Sequence, residues 1–545
     1  MKILKTLCSI LVLSFMIFFV TSCGEETIGV TGDFTTTLFK NAIEVNSTFV
    51  DSEQHDLYYD NLRPYVVVEN TDEDGETSEV TRTAVTIVKP TVVDKDSEGN
   101  PIENPEIPRE ISSNKVTVSN LKQGTEYTVK LIVTANSKQT VLKTDTVVTL
   151  DSGESAEDPI IINTLQELVG INKDNDAYYK LGADIKVDGT LATIFNSSTI
   201  FKGHFDGDGH TISGYTISSN NYSGLFGNMF GATVKNLVLK DVKYETSRGE
   251  IYLGALSGYA KNCTIENVTV ENFSITYSGR SSITAIIGGL VGEAENSTVK
   301  NCHVKNVDIK INSAQLRVKV GGFVGYNDIS LFDNCSVNGT LFASVTYNAN
   351  TGGSLFAGGF AGVNDSNKGI INSTAKVNIN VTEPTTVTSS GVKTHKIAVG
   401  GLVGGNETFH NKVVNSAAYG DITVSAIHTY NAFVGGLIGD VSEAGVAILE
   451  NCVYKAAEAG VKVTFMKIAE DKEEKDIEQT AYASLTVGRI AGDSSSVTNV
   501  VVYNASTNTL LTIENEHLKV VKNPYVETSA LEGFNDTIKN FVSAN

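Results

Sequence analysis

The stretch that most resembles ligand chemistry is Asp206-Gly207-Asp208-Gly209-His210. Alternating Asp and Gly can wrap carboxylate and backbone oxygens around calcium. The later oxygen ligands and closing Glu of a helix–loop–helix calcium site do not follow, so the segment is read as a turn. Asp206 and Asp208 are then the candidate calcium ligands, and no other cofactor is expected. Asp206, Asp208, Asp241 and Glu266 are carboxylates that neighbouring repeats could bring together for polysaccharide cleavage, which needs a facing pair. Surface carboxylates are the simpler reading in a chain with 63 Asp and Glu against 42 Lys and Arg. No His is followed by Glu, which removes the His-Glu-x-x-His zinc site. His55 stands alone among acidic residues. No Cys-x-x-Cys occurs among the six cysteines, which speaks against zinc. Cys302, Cys335 and Cys452 recur at one place in a repeat, as buried thiols would, and a Cys302–Cys335 disulfide stays open. No catalytic constellation is legible, so the chain is read as non-enzymatic.

Such residues need a scaffold, and the composition indicates which. The 545 residues include 48 Gly, 8 Pro and no Trp, with a formal net charge of −21. Gly among Val, Ile, Thr and Asn favours strands and tight turns over long helices. The charge opposes nucleic-acid binding, whose affinity comes mainly from Lys and Arg on phosphates.

From Ser223 onward a Gly, two apolar or small residues and a second Gly recur. The closing glycines are Gly227, Gly258, Gly292, Gly325, Gly362, Gly404, Gly439 and Gly492, of which Gly258 and Gly492 close looser copies that lack the opening Gly. Their separations are 31, 34, 33, 37, 42, 35 and 53 residues, an elastic period that marks a solenoid with variable loops. Asn236, Asn267, Asn301 and Asn334 each stand nine residues after a closing Gly. Constant spacing there marks the structural rung. The Asn is expected to bond from coil to coil, and Gly to let backbone pass close to backbone.

These repeats resemble the GLUG motif of bacterial surface proteins, from about Pro159 to Tyr503. The resemblance takes in Thr164-Leu165-Gln166-Glu167-Leu168 and the Asp206–His210 turn. It implies a scaffold rather than an activity. The expected fold is all-β: an N-terminal β-sandwich, then a right-handed β-helix-like solenoid of about eight repeats.

Residues 1–22 read as a secretory leader, with Lys2 and Lys5 before an apolar run too short to span a membrane. Val20-Thr21-Ser22-Cys23-Gly24 resembles the lipobox of bacterial lipoproteins, which implies lipidation of Cys23 and stable anchoring by several acyl chains. Residues 23–29 would be the tether, and Gly24-Glu25-Glu26 resembles the surface-export tethers of Bacteroidetes lipoproteins. Residues 30–150 carry short strands. In Tyr127-Thr128-Val129-Lys130-Leu131-Ile132-Val133 alternate residues share one face. Leu121 to Tyr127 resembles the tyrosine corner of fibronectin type III domains, which implies that the Tyr127 hydroxyl bonds back to backbone. Residues 151–158 are a polar linker, 159–505 the solenoid and 506–545 a cap, its helix covering the last rung.

Together these features describe a lipoprotein of the cell envelope, displayed at the outer-membrane surface. It would bind or adhere to an extracellular protein or glycan and have no nucleic-acid partner. A polysaccharide-active β-helix enzyme and a non-catalytic envelope stalk are the alternatives.

Overall fold

The computed structural model describes residues 30–545 except 40–41, 52–61, 73–74, 88–108, 114, 136–137, 150–152, 197, 219–220, 248, 280–283, 314–316, 346–352, 384–394, 408–409, 427–430, 444, 466–479, 492–494, 504–510, 515–518, 523–525 and 529–533. Residues 1–29, on which the expected leader, Cys23 and tether fall, lie outside the described residues, as do His55 and Gly492. No helix among the described residues is long and apolar enough to cross a membrane. The chain divides into two compact units, residues 1–149 and 150–545.

The first unit is an antiparallel β-sandwich. One sheet pairs Val30–Leu38, Ala42–Asp51 and Arg109–Ser112, with Val116–Ser119 also on the second strand. The other runs Thr77–Ala84, Leu62–Thr71, Glu126–Ala135, Lys138–Val148. Tyr127, Val129, Leu131 and Val133 point into the shared core, as their alternation requires. The Tyr127 hydroxyl accepts the backbone N–H of Lys122 at 2.9 Å, which fixes the corner leading into its strand.

The second unit is a solenoid of parallel strands. A representative coil consists of Thr284–Gly288, Val291–Glu295, Thr298–Lys300 and His303–Ser313. Each strand pairs in parallel with its counterpart one coil on. Inward residues such as Ile287, Leu290, Ala294, Val299, Cys302 and Val304 join one continuous core. Thr164 caps the helix Leu165–Gly170 in a reciprocal box with Glu167, and Leu168 packs into the same core beside the first coil.

The recurring Asn does what the spacing suggests. Asn236, Asn267, Asn301, Asn334, Asn372, Asn415, Asn451 and Asn499 all adopt positive φ, a conformation Asn tolerates better than other side-chain-bearing residues. Their amides form a ladder. Asn334 donates to Asn301 at 2.8 Å, Asn451 to Asn415 at 3.0 Å and Asn499 to Asn451 at 2.8 Å. The next position serves another purpose. Cys302 and Cys335 are buried free thiols, as is Cys452. Ser373 and Ser416 replace Cys in two coils, where their hydroxyls accept the N–H of Cys335 and Ser373 in the coil before.

The structure corrects three expectations about the bounds of the repeats, and a fourth about the C-terminal helix. First, the closing Gly of the last corner is Gly488, not Gly492. Ile438 pairs with Val487 and Asp440 with Arg489, which aligns Gly488 with Gly439. The preceding turn, Ser484-Leu485-Thr486-Val487, lacks the opening Gly and so hid the copy. Second, the solenoid runs past residue 505. Leu511–Glu514, Lys519–Lys522 and Val526–Thr528 add parallel strands to the stack with no glycine corner to announce them. Third, the linker reading covers too much. The Gly153 N–H bonds the Asp158 carbonyl, and the Gly153 carbonyl takes the N–H of Tyr178, so residues 153–158 form a turn built onto the first coil.

The C-terminal helix, Asp536–Ala544, also departs from expectation: it braces the side of the stack. Ile538 and Val542 pack with Phe534 on Ala417, Val453 and Val501, outward residues of three successive coils. Earlier coils place Thr269, His303, Ser336 and Thr374 at that position. The change to apolar residues creates the stripe that the helix covers. Ile538 is 0% exposed. Ile538→Asp is expected to undock the helix at a cost of about 3 kcal/mol, because the charge cannot remain in that seam. Amide exchange in the helix should then accelerate about a hundredfold while the coils stay protected. Unchanged helix protection would contradict the docking.

Candidate functional site

Two outward ladders follow a simple electrostatic rule. Along one ladder Asp206, Lys235, Glu266, Lys300 and Asp333 succeed one another, with opposite charges in adjacent coils. Lys240, Glu271 and Lys305 do the same in another, joined at 3.7 and 3.1 Å. Neighbouring strands lie about 4.8 Å apart, so alternation turns repulsion into attraction.

One ladder breaks the rule. The residues three places after the closing glycines are Lys261, Glu295, Asp328, Asp365 and Glu407, four carboxylates in succession after one Lys. Glu295, Asp328 and Asp365 pair directly, and the Glu407 N–H donates to Asp365 at 2.9 Å. Glu293, Glu295 and Asp328 each offer an oxygen within 4.8 Å of the others, the only such acidic or metal-ligating trio among the described residues. Hard oxygen donors in that arrangement suit a divalent cation or several hydroxyl groups.

The Gly-x-x-Gly corner explains why these residues face a concavity. It folds the strand before it against the strand after it, so outward side chains of the two faces meet. Phe356, Ala398 and Phe433 of one face pack on Val363 of the other, outside the main core. Tight turning requires missing side chains. A Cβ on Gly292 would meet the Gly258 carbonyl at 2.5 Å, and one on Gly439 the Gly404 carbonyl at 2.5 Å.

The resulting groove has two halves. Toward the C-terminus it is plugged. Asp440, 0% exposed, receives Arg489 through Nε at 2.6 Å and a second guanidinium nitrogen at 3.0 Å, and Lys396 at 2.5 Å. Arg489 lies 4.0 Å from the Phe433 ring centroid and Lys396 4.7 Å from that of Phe356. Toward the N-terminus the groove is open. Tyr222, Tyr252 and Tyr259, all half-buried, form a cluster with centroids 5.0, 5.8 and 6.5 Å apart. The Glu carboxylates follow. Tyr259 donates to Glu295, which also holds Lys261 at 2.6 Å. Between the halves Lys319, 7% exposed, lies 3.7 Å over the Tyr326 ring and 2.6 Å from Glu407.

This setting changes the acids. Burial, followed by the negative charges of Asp328, Glu295 and Glu407, lifts the Glu293 carboxyl to about 7 despite the pull of Lys319. Burial and neighbouring carboxylates also raise Asp328. Glu295 is lowered: burial opposes ionisation, but the hydrogen bonds from Lys261 and Tyr259 outweigh it. Burial raises the Tyr252 phenol to about 12. Below about pH 7 a protonated Glu293 therefore stands beside an ionised Glu295.

The residues singled out from sequence lie elsewhere. Asp206 is occupied by the Asp208 N–H at 2.9 Å, Asn236 at 3.0 Å and Lys235 at 3.2 Å. Asp208 pairs with Lys180 at 2.9 Å, and His210 with Asp184 at 3.1 Å. Lys235 stands between Asp206 and Glu266 in the ladder, and Asp241 accepts from Asn272 at 2.8 Å. These four candidate carboxylates are not brought together. Reading three residues past each closing Gly would have found Glu295 and Asp328.

The second unit is therefore a parallel β-solenoid with an acidic, aromatic-lined corner. The family described as the GLUG motif matches residues 284–310 and 319–341, the coils that hold Glu293, Glu295, Lys319 and Asp328. No curated protein matches the chain. Among solved structures it is similar to the catalytic domain of a GH87 alpha-1,3-glucanase, at 10% identity and a TM-score of 0.19 over 90% of this chain and 97% of that one. It is also similar to the family 28 exopolygalacturonase of Yersinia enterocolitica, at 9% identity and 0.21 over 91% and 98%. A third is pectate lyase Pel3 of Pectobacterium carotovorum, at 12% and 0.15 over 87% and 99%. At TM-scores of this size the likeness bears on neither the site nor its chemistry.

Proposed function

We propose that this chain is a lipid-anchored, surface-displayed binding protein whose open groove holds an uncharged glycan along the stack. The observation that carries the proposal is the run of carboxylates Glu295, Asp328, Asp365 and Glu407, continuous with the Tyr222–Tyr252–Tyr259 cluster. Tyr faces supply apolar platforms for sugar rings, and carboxylates accept hydrogen bonds from hydroxyls. The negative potential discourages anionic ligands at this corner. Cys23 would provide the anchor at the outer-membrane surface.

A second reading has one observation in its favour. Glu293, protonated up to about pH 7, adjoins ionised Glu295, the division of roles that glycoside hydrolysis requires.

One experiment separates them: the full chain is presented to an array of neutral glycans and the same wells are assayed for new reducing ends. Saturable binding without cleavage is expected. It should weaken at least about tenfold, or about 1.4 kcal/mol, in both Tyr252→Ala and Asp328→Asn. New reducing ends lost in Glu293→Gln would replace binding by catalysis. Binding unaffected by either groove variant would remove the groove as the site.

A further inference from the structure

On a different wall of the solenoid a cavity of about 390 Å³ is lined by Asn306, Asn338, Gly339, Lys376, Asn378 and Tyr419. A break in the coil register creates it. Asn306, at positive φ, is an extra residue where pairing between coils shifts from Val304 to Val307. Gly339 accommodates the displaced chain with φ of 151°, where a Cβ would meet the Val307 carbonyl.

The hydrogen bonds fix which way the amides present themselves. The Asn338 side-chain oxygen accepts the Asn306 N–H at 2.9 Å, and that of Asn378 accepts the Asp421 N–H at 3.0 Å. A backbone N–H can only meet an amide oxygen, so both NH₂ groups are left as donors. Lys376 adds an ammonium, 5.3 Å from the Tyr419 ring centroid. Asn306 donates its own NH₂ to Asn272 at 3.1 Å, which leaves its oxygen as an acceptor. The nearby acids are engaged: Asp308 by Lys310 and by Thr340 at 2.9 Å, and Asp421 by the N–H groups of Ala457, Glu458 and Gly460.

Three donor groups, one of them cationic, with one acceptor and an aromatic ring, in a chain of net charge −21, suit a ligand that carries both a negative charge and hydroxyls. The geometry points to a second binding site, for a carboxylate-bearing sugar unit. The carboxylate takes Lys376 and the two amides, the Asn306 oxygen takes a hydroxyl, and Tyr419 supplies the apolar wall.

The amide geometry also supplies the test. Asn378→Asp keeps an oxygen for the Asp421 N–H, so the fold is retained, but replaces a donor with a negative charge. Calorimetric titration of the full chain with D-glucuronate should show saturable binding that weakens at least about tenfold in Asn378→Asp and in Lys376→Met. Thermal unfolding of Asn378→Asp should stay within about 2 °C of the parent. Glucose should not compete. Acetate at equal ionic strength, if it competed as well as glucuronate, would reduce the site to a bare carboxylate sink and overturn the sugar assignment. Equal binding of glucose, no binding of glucuronate, or affinity for glucuronate unchanged in both variants would overturn the proposal entirely.

Discussion

Glu293→Gln is expected to stabilise the solenoid at pH 8 by about 3 kcal/mol and to leave it nearly unchanged at pH 4. The carboxyl sits at about 7 in the folded chain against an ordinary 4.5. Its raised value means that the folded state holds the proton more tightly than the unfolded one. The stabilisation is fully present below about 4.5 and is lost as pH rises through about 7, at about 1.4 kcal/mol for each unit of difference. Glutamine is neutral at every pH and cannot incur that loss. Denaturant unfolding of parent and variant at three pH values checks the prediction. The difference between the two chains cancels every other titrating group that the substitution leaves alone. A gap that is the same at all three pH values would assign the effect to packing rather than to the carboxyl. Ligand hydroxyls in the groove would be expected to favour whichever protonation state they bind, so glycan affinity should change over the same range.

The scaffold was legible because its requirements repeat. Most corners carry a Gly where backbone meets backbone, and most rungs an Asn at positive φ, so Gly292, Gly325, Asn301 and Asn334 stand at fixed spacing. The position of Tyr127 was equally readable, because its hydroxyl bond spans only five residues of chain. The groove was harder to read. Its walls come from strands on either side of the corner, and its charge pattern appears only when coils of unequal length are aligned. Glu295 and Asp328 lie 33 residues apart in sequence yet pair directly. Asp206 and Asp208 drew attention because they are close in sequence, but proximity along a turn served that turn. The side-packed helix was hidden for a related reason: its apolar stripe was visible, whereas the complementary row of Ala417, Val453 and Val501 is scattered over three coils.

The corner glycines tie the groove to the stability of the stack, and Gly358→Ala should produce the largest loss of any substitution considered. An added Cβ would stand 1.9 Å from the Ala361 carbonyl oxygen, with the Gly404 nitrogen at 2.8 Å. Both obstacles are backbone, and coils on either side hold them in place, so the clash cannot be relieved by a rotamer change. A cost of at least about 4 kcal/mol is expected, enough to open that corner. Gly231 provides the contrast. It has φ of 68° with nothing near its missing Cβ. Register places it opposite Asn262, itself at φ of 55°. Gly231→Asn should therefore lie within about 0.5 kcal/mol of the parent, since Asn tolerates that conformation and can join Asn262 in a ladder. Thermal unfolding and amide exchange of the two variants measure the difference. If close backbone approach rather than turn conformation is what the repeat encodes, exchange in Gly358→Ala will rise first in Gly353–Gly358 and Ala361–Ile371, the strands that flank the corner and carry Phe356 and Asp365 into the groove. Similar losses in both variants would instead mean that the glycines are there for their φ, and that the groove owes its shape to something other than the corner.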